Sequence, residues 1–271
     1  MSRIPNILTV AGSDPSGGAG IQADLKTFSA LGGYGMSVLA ALTAQNTRGV
    51  VEVHDLPTEF VRAQLDAIFA DVRVDAVKIG MLGTTDVITT VAGALADHQP
   101  PYVVLDPVMV AKSGHRLLHP TAVAALRDEL LPRVDLITPN LAEAADLLDV
   151  DTAKTTEEMA EHAQRLVGLG ASRVLLKGGH LHADRSPDLL LDNGSTHTFD
   201  AERVVTKNTH GTGCTLSSAI ATLRPQRADW ATAVREAKEY LTGALQAADQ
   251  LDVGDGFGPV HHFYDMWRQQ V

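Results

Sequence analysis

Ile7-Leu8-Thr9-Val10-Ala11-Gly12-Ser13-Asp14-Pro15-Ser16-Gly17-Gly18-Ala19-Gly20-Ile21 is a short apolar run without helical period that stops in a glycine-rich loop. It reads as a buried strand entering a tight turn. From Ile21 the spacing Ile21, Leu25, Phe28, Leu31 is helical, and Gly32-Gly33 is a stop signal. Strand, glycine loop, helix is the opening of an α/β unit. The loop glycines do not stand in the order G-x-G-x-x-G, which argues against a dinucleotide-binding fold of the dehydrogenase kind. The loop still has the composition of a ligand site.

The same alternation continues along the chain. Residues 36–42 and 50–53 read as strands, and 58–69 as a helix with Phe60, Leu65, Ile68 and Phe69 on one face. Ala76-Val77-Lys78-Ile79 leads into Gly80-Met81 and a helix over about 86–96. Tyr102-Val103-Val104-Leu105 leads into Asp106-Pro107 and a helix over about 120–130. Leu136-Ile137-Thr138 leads into Pro139-Asn140 and a helix to Leu148, and another helix is expected over 157–169. Arg173-Val174-Leu175-Leu176 then leads into Lys177-Gly178-Gly179. Repeated βα units predict one α/β domain over residues 1–271, with a mostly parallel central sheet and helices on both faces, a three-layer αβα sandwich. Leu189-Leu190-Leu191 and Thr196 to Phe199 around Asn193-Gly194 read as an antiparallel hairpin, and two or three helices finish the chain.

A second glycine loop, Asn208-Thr209-His210-Gly211-Thr212-Gly213-Cys214-Thr215-Leu216, runs straight into an apolar helical segment. Its glycines allow close approach of a ligand, and the first helical turn has N–H groups without intrahelical partners, so the turn can cradle an anion such as phosphate. The chain's single cysteine, Cys214, stands at that positive end, where a thiolate is favoured over a thiol.

In open parallel sheets ligands bind at the carboxyl ends of the strands. That rule brings Asp14, Met81, Asp106, Asn140, Glu143 and Lys177 to the same rim as the Gly211 to Cys214 turn. Each has a plainer explanation alone: Asp106-Pro107 and Pro139-Asn140 are ordinary strand-end turns, and Glu143 suits a helix N-terminus. Together they supply carboxylates for Mg²⁺, a lysine for phosphate charge and an N–H cradle, the parts phosphoryl transfer needs.

Composition excludes several alternatives. Lys+Arg 22 against Asp+Glu 33 gives a formal charge of -11, which argues against nucleic acid or an anionic membrane as the main partner. Residues 1–8 fit neither a signal peptide nor a membrane span, and one cysteine forms no internal disulfide, so a cytoplasmic setting is expected. His180-Leu181-His182 and His261-His262 lack a third ligand at metal spacing and read as surface or loop histidines. His210 four residues before Cys214 suggests a thiol hydrolase, but no orienting partner or oxyanion hole accompanies it.

The motifs from Gly12 to Asp24, Ala41-Leu42-Thr43-Ala44-Gln45-Asn46, Lys78-Ile79-Gly80-Met81, Asp106-Pro107-Val108-Met109, Thr138-Pro139-Asn140-Leu141-Ala142-Glu143 and His210-Gly211-Thr212-Gly213-Cys214 stand in order along nearly the whole chain. They resemble the hydroxymethylpyrimidine/phosphomethylpyrimidine kinases of thiamine biosynthesis, which have the ribokinase-like fold. The resemblance implies ATP-dependent phosphorylation of 4-amino-5-hydroxymethyl-2-methylpyrimidine and then of its monophosphate. It implies that Gly211, Thr212, Gly213 and Cys214 form the anion hole, that Asp106 and Glu143 lie near Mg²⁺, and that Lys177 lies near the ATP phosphates. It places Cys214 where most sugar kinases of this fold carry an aspartate base. Asp24 and Gln45 would face the pyrimidine, lined by Gly12, Met81 and Val108. Independently, a carboxamide both donates and accepts in one plane, so Gln45 suits an aminopyrimidine edge. Relatives with the same motifs phosphorylate pyridoxal or pyridoxine, which stays open as an alternative, as does a non-catalytic pyrimidine sensor. Relatives are often dimers, and a homodimer is expected from that alone.

Overall fold

A computed structural model describes residues 3–110, 118, 121–179, 181 and 184–267. The chain forms β1 (Asn6–Ser13), α1 (Gly20–Ala30), β2 (Tyr34–Asn46), β3 (Gly49–Asp55), α2 (Thr58–Asp71), β4 (Ala76–Ile79), α3 (Thr85–His98) and β5 (Val103–Leu105). It continues with α4 (Ala122–Ala125), β6 (Leu136–Ile137), α5 (Leu141–Leu148), α6 (Thr156–Gly168), β7 (Arg173–Lys177), β8 (Asp188–Asp192), β9 (Ser195–Phe199), α7 (Thr212–Leu223), α8 (Trp230–Gln246) and α9 (Tyr264–Trp267). The helix expected over 120–130 begins at Ala122 and passes through a π turn (Leu126–Leu130) and a 3-10 turn (Leu131–Arg133); Pro120 lies outside the described residues.

One nine-stranded sheet runs in the order β3-β2-β1-β4-β5-β6-β7-β8-β9. The six strands from β2 to β7 are parallel, while β3 at one edge and the β8–β9 hairpin at the other are antiparallel. Asn193 and Gly194 turn that hairpin with φ of 47° and 80°. Two consecutive left-handed residues are what a two-residue hairpin matched to the strand twist requires.

Side chains of each central strand alternate between two cores. Leu8, Val10, Val77, Ile79, Ile137, Val174 and Leu176 join α2 to α6 on one face. Ile7, Ala76, Val104, Leu136 and Leu175 join α1, α7 and α8 on the other. Because both faces are covered, the strands read as unbroken apolar runs rather than as alternating ones. The three-layer αβα arrangement with a mostly parallel sheet is therefore present as the sequence predicts.

The alternation also fixes two polar positions. Thr9 and Lys78 share the parity of Ile7 and Ala76, so they face the layer of α1 and α7, and both are fully buried. A lysine there needs a buried carboxylate. Asp24 of α1 supplies it, with both oxygens 2.9 Å from Lys78 Nζ, while Thr9 Oγ1 (2.6 Å) and Ser218 Oγ of α7 (2.6 Å) donate to the same carboxylate.

Candidate active site

The two glycine loops interlock at the carboxyl ends of the strands. Gly211, the residue before α7, has φ of 77°, and a Cβ added to it would lie 1.8 Å from the carbonyl oxygen of Gly18. Only glycine satisfies both conditions. A Cβ on Gly18 would in turn fall 2.4 Å from the His210 ring. Asp14 braces the first loop: its carboxylate accepts from Ser16 N and Oγ, Gly18 N, Ala19 N and His210 Nε2, the last at 2.8 Å. Burial pushes this carboxyl up, but the hydrogen bonds from His210, Ser16 and Ala19 outweigh it and hold its pKa below the usual value, so it is ionised at neutral pH.

A cavity of about 390 Å³ opens above this junction. Gly12, Gln45, Met81 and Val108, from the β2-β1-β4-β5 side of the sheet, line one end. Gly179, Ser186, Arg203, Val204, Leu241 and Leu245, from around β7, β8 and α8, line the other. Between them stand Gly211, Thr212, Gly213 and Cys214 at the start of α7, where no side chain caps the helix. The free first turn is a cradle for negative charge. Gly12 makes room at its end: a Cβ there would lie 2.4 Å from Met81 Cε.

The charged groups of the rim form one cluster. Lys177 Nζ lies 2.9 Å from Asp106 Oδ1 and 4.0 Å from Glu143 Oε2. The Thr138 hydroxyl donates to Asp106 Oδ1 at 3.2 Å. Gly213 sits directly against the cluster, its ideal Cβ 3.3 Å from both Asp106 Oδ2 and Lys177 Nζ. Glu143 is held by a reciprocal cap: its carboxylate accepts from Asn140 N (2.7 Å) and its own amide donates to Asn140 Oδ1 (2.9 Å). Burial, with the Asp106 carboxylate adding to it, pushes the Glu143 carboxyl up to about 7 despite Lys177. Burial opposes the charge on Lys177, yet Asp106 and Glu143 outweigh it and raise its pKa.

Two expectations are corrected. Asp24 does not line the cavity; it lies beneath it, fully buried, with its carboxylate occupied by Lys78, Thr9 and Ser218. The cavity-facing member of that pair is Lys78. At Cys214 the thiolate is disfavoured rather than favoured: burial pushes the thiol up to about 11, and Asp24 and Asp106 add to the shift, although Lys78 and the Gly20 amide favour the anion. Desolvation exceeds the effect of the helix terminus here. Gln45, Gly12, Met81, Val108, Asp106, Glu143, Lys177, Gly211, Thr212, Gly213 and Cys214 all reach the cavity.

Sequence reading missed Lys78, although a lysine inside the apolar run Ala76-Val77-Lys78-Ile79 is itself a signal. His261 and His262 do lie in the loop before α9, as expected, but they are buried rather than on the surface. Burial, with Lys26 and His261 nearby, lowers His262 to about 3, and its Nε2 lies 3.1 Å from Thr215 Oγ1. His180 and His182 lie outside the described residues. Among the described residues no three His, Cys, Asp or Glu side chains form a metal-binding group, and no helix is long and apolar enough to cross a membrane.

This sheet, with its ligand-sized cavity on the strand-end rim, is the ribokinase-like fold of the vitamin kinases. An ADP complex of Bacillus subtilis pyridoxal kinase superposes with a TM-score of 0.88 at 39% identity, over 96% of this chain and 98% of that one. Staphylococcus aureus pyridoxal kinase in complex with AMP-PCP and pyridoxal gives 0.89 at 32% identity, over 98% and 96%. The phosphomethylpyrimidine kinase family profile matches residues 14–261, and the hydroxymethylpyrimidine/phosphomethylpyrimidine kinase of Escherichia coli (strain K12) is 59% identical over 267 residues, 98% of this chain and 100% of that protein. The chain belongs to the phosphomethylpyrimidine kinase family.

Proposed function

We propose that the chain phosphorylates 4-amino-5-hydroxymethyl-2-methylpyrimidine with ATP and then phosphorylates the resulting monophosphate to the diphosphate, a supply reaction for thiamine diphosphate. The observation that carries this reading is the uncapped α7 terminus set against Lys177 and Asp106, midway along one cavity. In each step an acceptor oxygen forms a bond to the γ-phosphorus while the β–γ bridging P–O bond breaks. The amides of Gly211 to Cys214 and the Lys177 ammonium take up the charge on the transferring group. Gln45 orients the ring, and Gly12, Met81 and Val108 enclose it. ATP use agrees with the nucleotide complexes of the two pyridoxal kinases.

The residues fit Mg²⁺. It takes oxygen ligands and keeps most of its waters, and Glu143, raised mainly by burial and further by the Asp106 carboxylate, is one of two carboxylates whose charge a cation would stabilise. Those two would hold it, and it would supply charge neutralisation for the phosphates. The reading treats the chain as one cytoplasmic catalytic domain. A homodimer is carried over from relatives only.

Cys214 distinguishes the two steps. The alcohol must lose its proton as it attacks, whereas a phosphate monoester with a second pKa of about 6 is already dianionic. Because the Cys214 thiol is raised to about 11, its basic form grows as pH rises from 7 to 9. The ratio of alcohol to monoester single-turnover rates is therefore expected to climb with pH in the wild type and to lie flat and lower in Cys214→Ala, by about 10²-fold or more if the thiolate is the base. Groups common to both steps, Glu143 included, cancel in the ratio. An equal fall in both steps would remove Cys214 as a base. Pyridoxal assayed beside them tests the alternative: a higher kcat/KM for pyridoxal than for the aminopyrimidine would overturn the proposed substrate.

A further inference from the structure

The contacts around Gln45 favour one orientation of its carboxamide. Gln45 Nε2 lies 3.3 Å from His210 Nε2, and Gln45 Oε1 lies 3.2 Å from Thr43 Oγ1. His210 Nε2 is also 2.8 Å from Asp14 Oδ2, and an ionised carboxylate only accepts, so that ring nitrogen must carry the proton it donates. It then has nothing with which to accept from an amide N–H. At the other end the Thr43 hydroxyl donates to the Ser13 carbonyl at 2.8 Å, the nearer acceptor, and leaves Gln45 Oε1 at 3.2 Å only a weak share of its one hydrogen. The His210 contact therefore sets N–H against N–H, and the Thr43 contact is weak. Exchanging the oxygen and nitrogen of the carboxamide, a half-turn of the terminal torsion, relieves the first contact and strengthens the second. His210 Nε2–H, donated mainly to Asp14 at 2.8 Å, then faces Gln45 Oε1 as a second, weaker acceptor, and Gln45 Nε2 donates to Thr43 Oγ1.

The ring that sets this polarity has little freedom of its own. His210 is 8% exposed, its backbone N–H donates to the Gly258 carbonyl at 3.0 Å, and Gly18 leaves it a space that no larger residue would. Once Gln45 is oriented, one N–H and one oxygen lone pair remain for the cavity, in a fixed order.

We propose that the chain Asp14–His210–Gln45–Thr43–Ser13 is a polarity lock: His210 is a positioning residue that fixes which end of the Gln45 carboxamide donates, and so makes the site select a 4-amino ring over its 4-oxo counterpart. The inference rests on the proposed aminopyrimidine substrate and assigns its recognition to residues behind Gln45. A glutamine free to turn over pairs with either edge, because a half-turn converts donor–acceptor into acceptor–donor. A locked one meets the 4-oxo ring with donor facing donor and acceptor facing acceptor.

Calorimetric titration of the full chain with 4-amino-5-hydroxymethyl-2-methylpyrimidine and with 5-hydroxymethyl-2-methylpyrimidin-4-one tests the lock. The wild type is expected to prefer the amino ring by roughly 100-fold in Kd, the cost of two unmatched polar pairs. His210→Phe keeps a ring without the N–H, and Thr43→Val breaks the lock from its far end; each is expected to bring the ratio to about 10-fold or less. In a Gln45→Leu background, His210→Phe should change the ratio no further. A wild-type preference that survives both His210→Phe and Thr43→Val overturns the lock while leaving the substrate assignment intact. A wild type that binds neither ring overturns the substrate assignment, and the lock with it. Thr43→Val carries the test independently if His210→Phe does not fold.

Discussion

Lys78→Met is expected to destabilise the protein by about 3–5 kcal/mol, because it leaves the Asp24 carboxylate fully buried without its counter-charge. Burial opposes the lysine's charge, but Asp24, Cys214 and Asp106 together raise its pKa, so the pair is ionic. Two hydroxyls, from Thr9 and Ser218, cannot replace an ammonium held to both carboxylate oxygens. The double variant Lys78→Met/Asp24→Leu removes both charges and should recover most of the loss, since a buried ion pair and apolar residues of similar volume are often near-equivalent. Urea unfolding of the wild type, the single variant and the double variant measures this. A single variant within about 1 kcal/mol of wild type would mean that the fold does not depend on the Lys78–Asp24 contact. The pair also lies under the start of α7, so the single variant should bind anions at the Gly211 to Cys214 turn less well.

Lys177→Ala is expected to lower kcat by on the order of 10²- to 10³-fold with either acceptor, the usual loss when one charge-stabilising donor is taken from a transition state. The size follows from its place: Lys177 Nζ is in contact with Asp106, close to Glu143 and against Gly213 of the anion cradle. Because transferring-group charge develops in both steps, the two rates should fall together, unlike the Cys214→Ala pair. Steady-state kinetics with saturating ATP and each acceptor supplied separately measures it. An unchanged kcat with only a raised KM for ATP would make Lys177 a ground-state contact rather than part of the phosphoryl-transfer centre.

The fold was legible because it rests on local pattern. The central strands β1, β4, β5, β6 and β7 are short, apolar and followed by a glycine, proline or polar turn, and the covered sheet faces keep those runs unbroken. The strand-end rule then located the rim without any knowledge of side-chain direction. What failed depended on partners distant in sequence. Nothing near Asp24 says that Lys78, Thr9 and Ser218 converge on it, and without them a carboxylate just after a glycine loop looks like a ligand contact. Cys214 was misjudged for a related reason: a helix N-terminus is visible in sequence, whereas the desolvation that raises the thiol depends on how tightly the two glycine loops close. His262 is buried against Thr215 by chain folding back 47 residues later, which no spacing announces. Lys78 was readable in principle, since an ammonium in the middle of a buried strand demands a carboxylate.

The claim that one site performs two successive phosphorylations is tested most directly by stoichiometry. The aminopyrimidine alcohol is supplied in limiting amount with excess Mg-ATP, the reaction is run to completion, and ADP is counted while phosphorus NMR follows the acceptor. Two ADP per alcohol are expected, with the monophosphate rising and then giving way to the diphosphate. One ADP per alcohol, with the monophosphate as the end product, would contradict it.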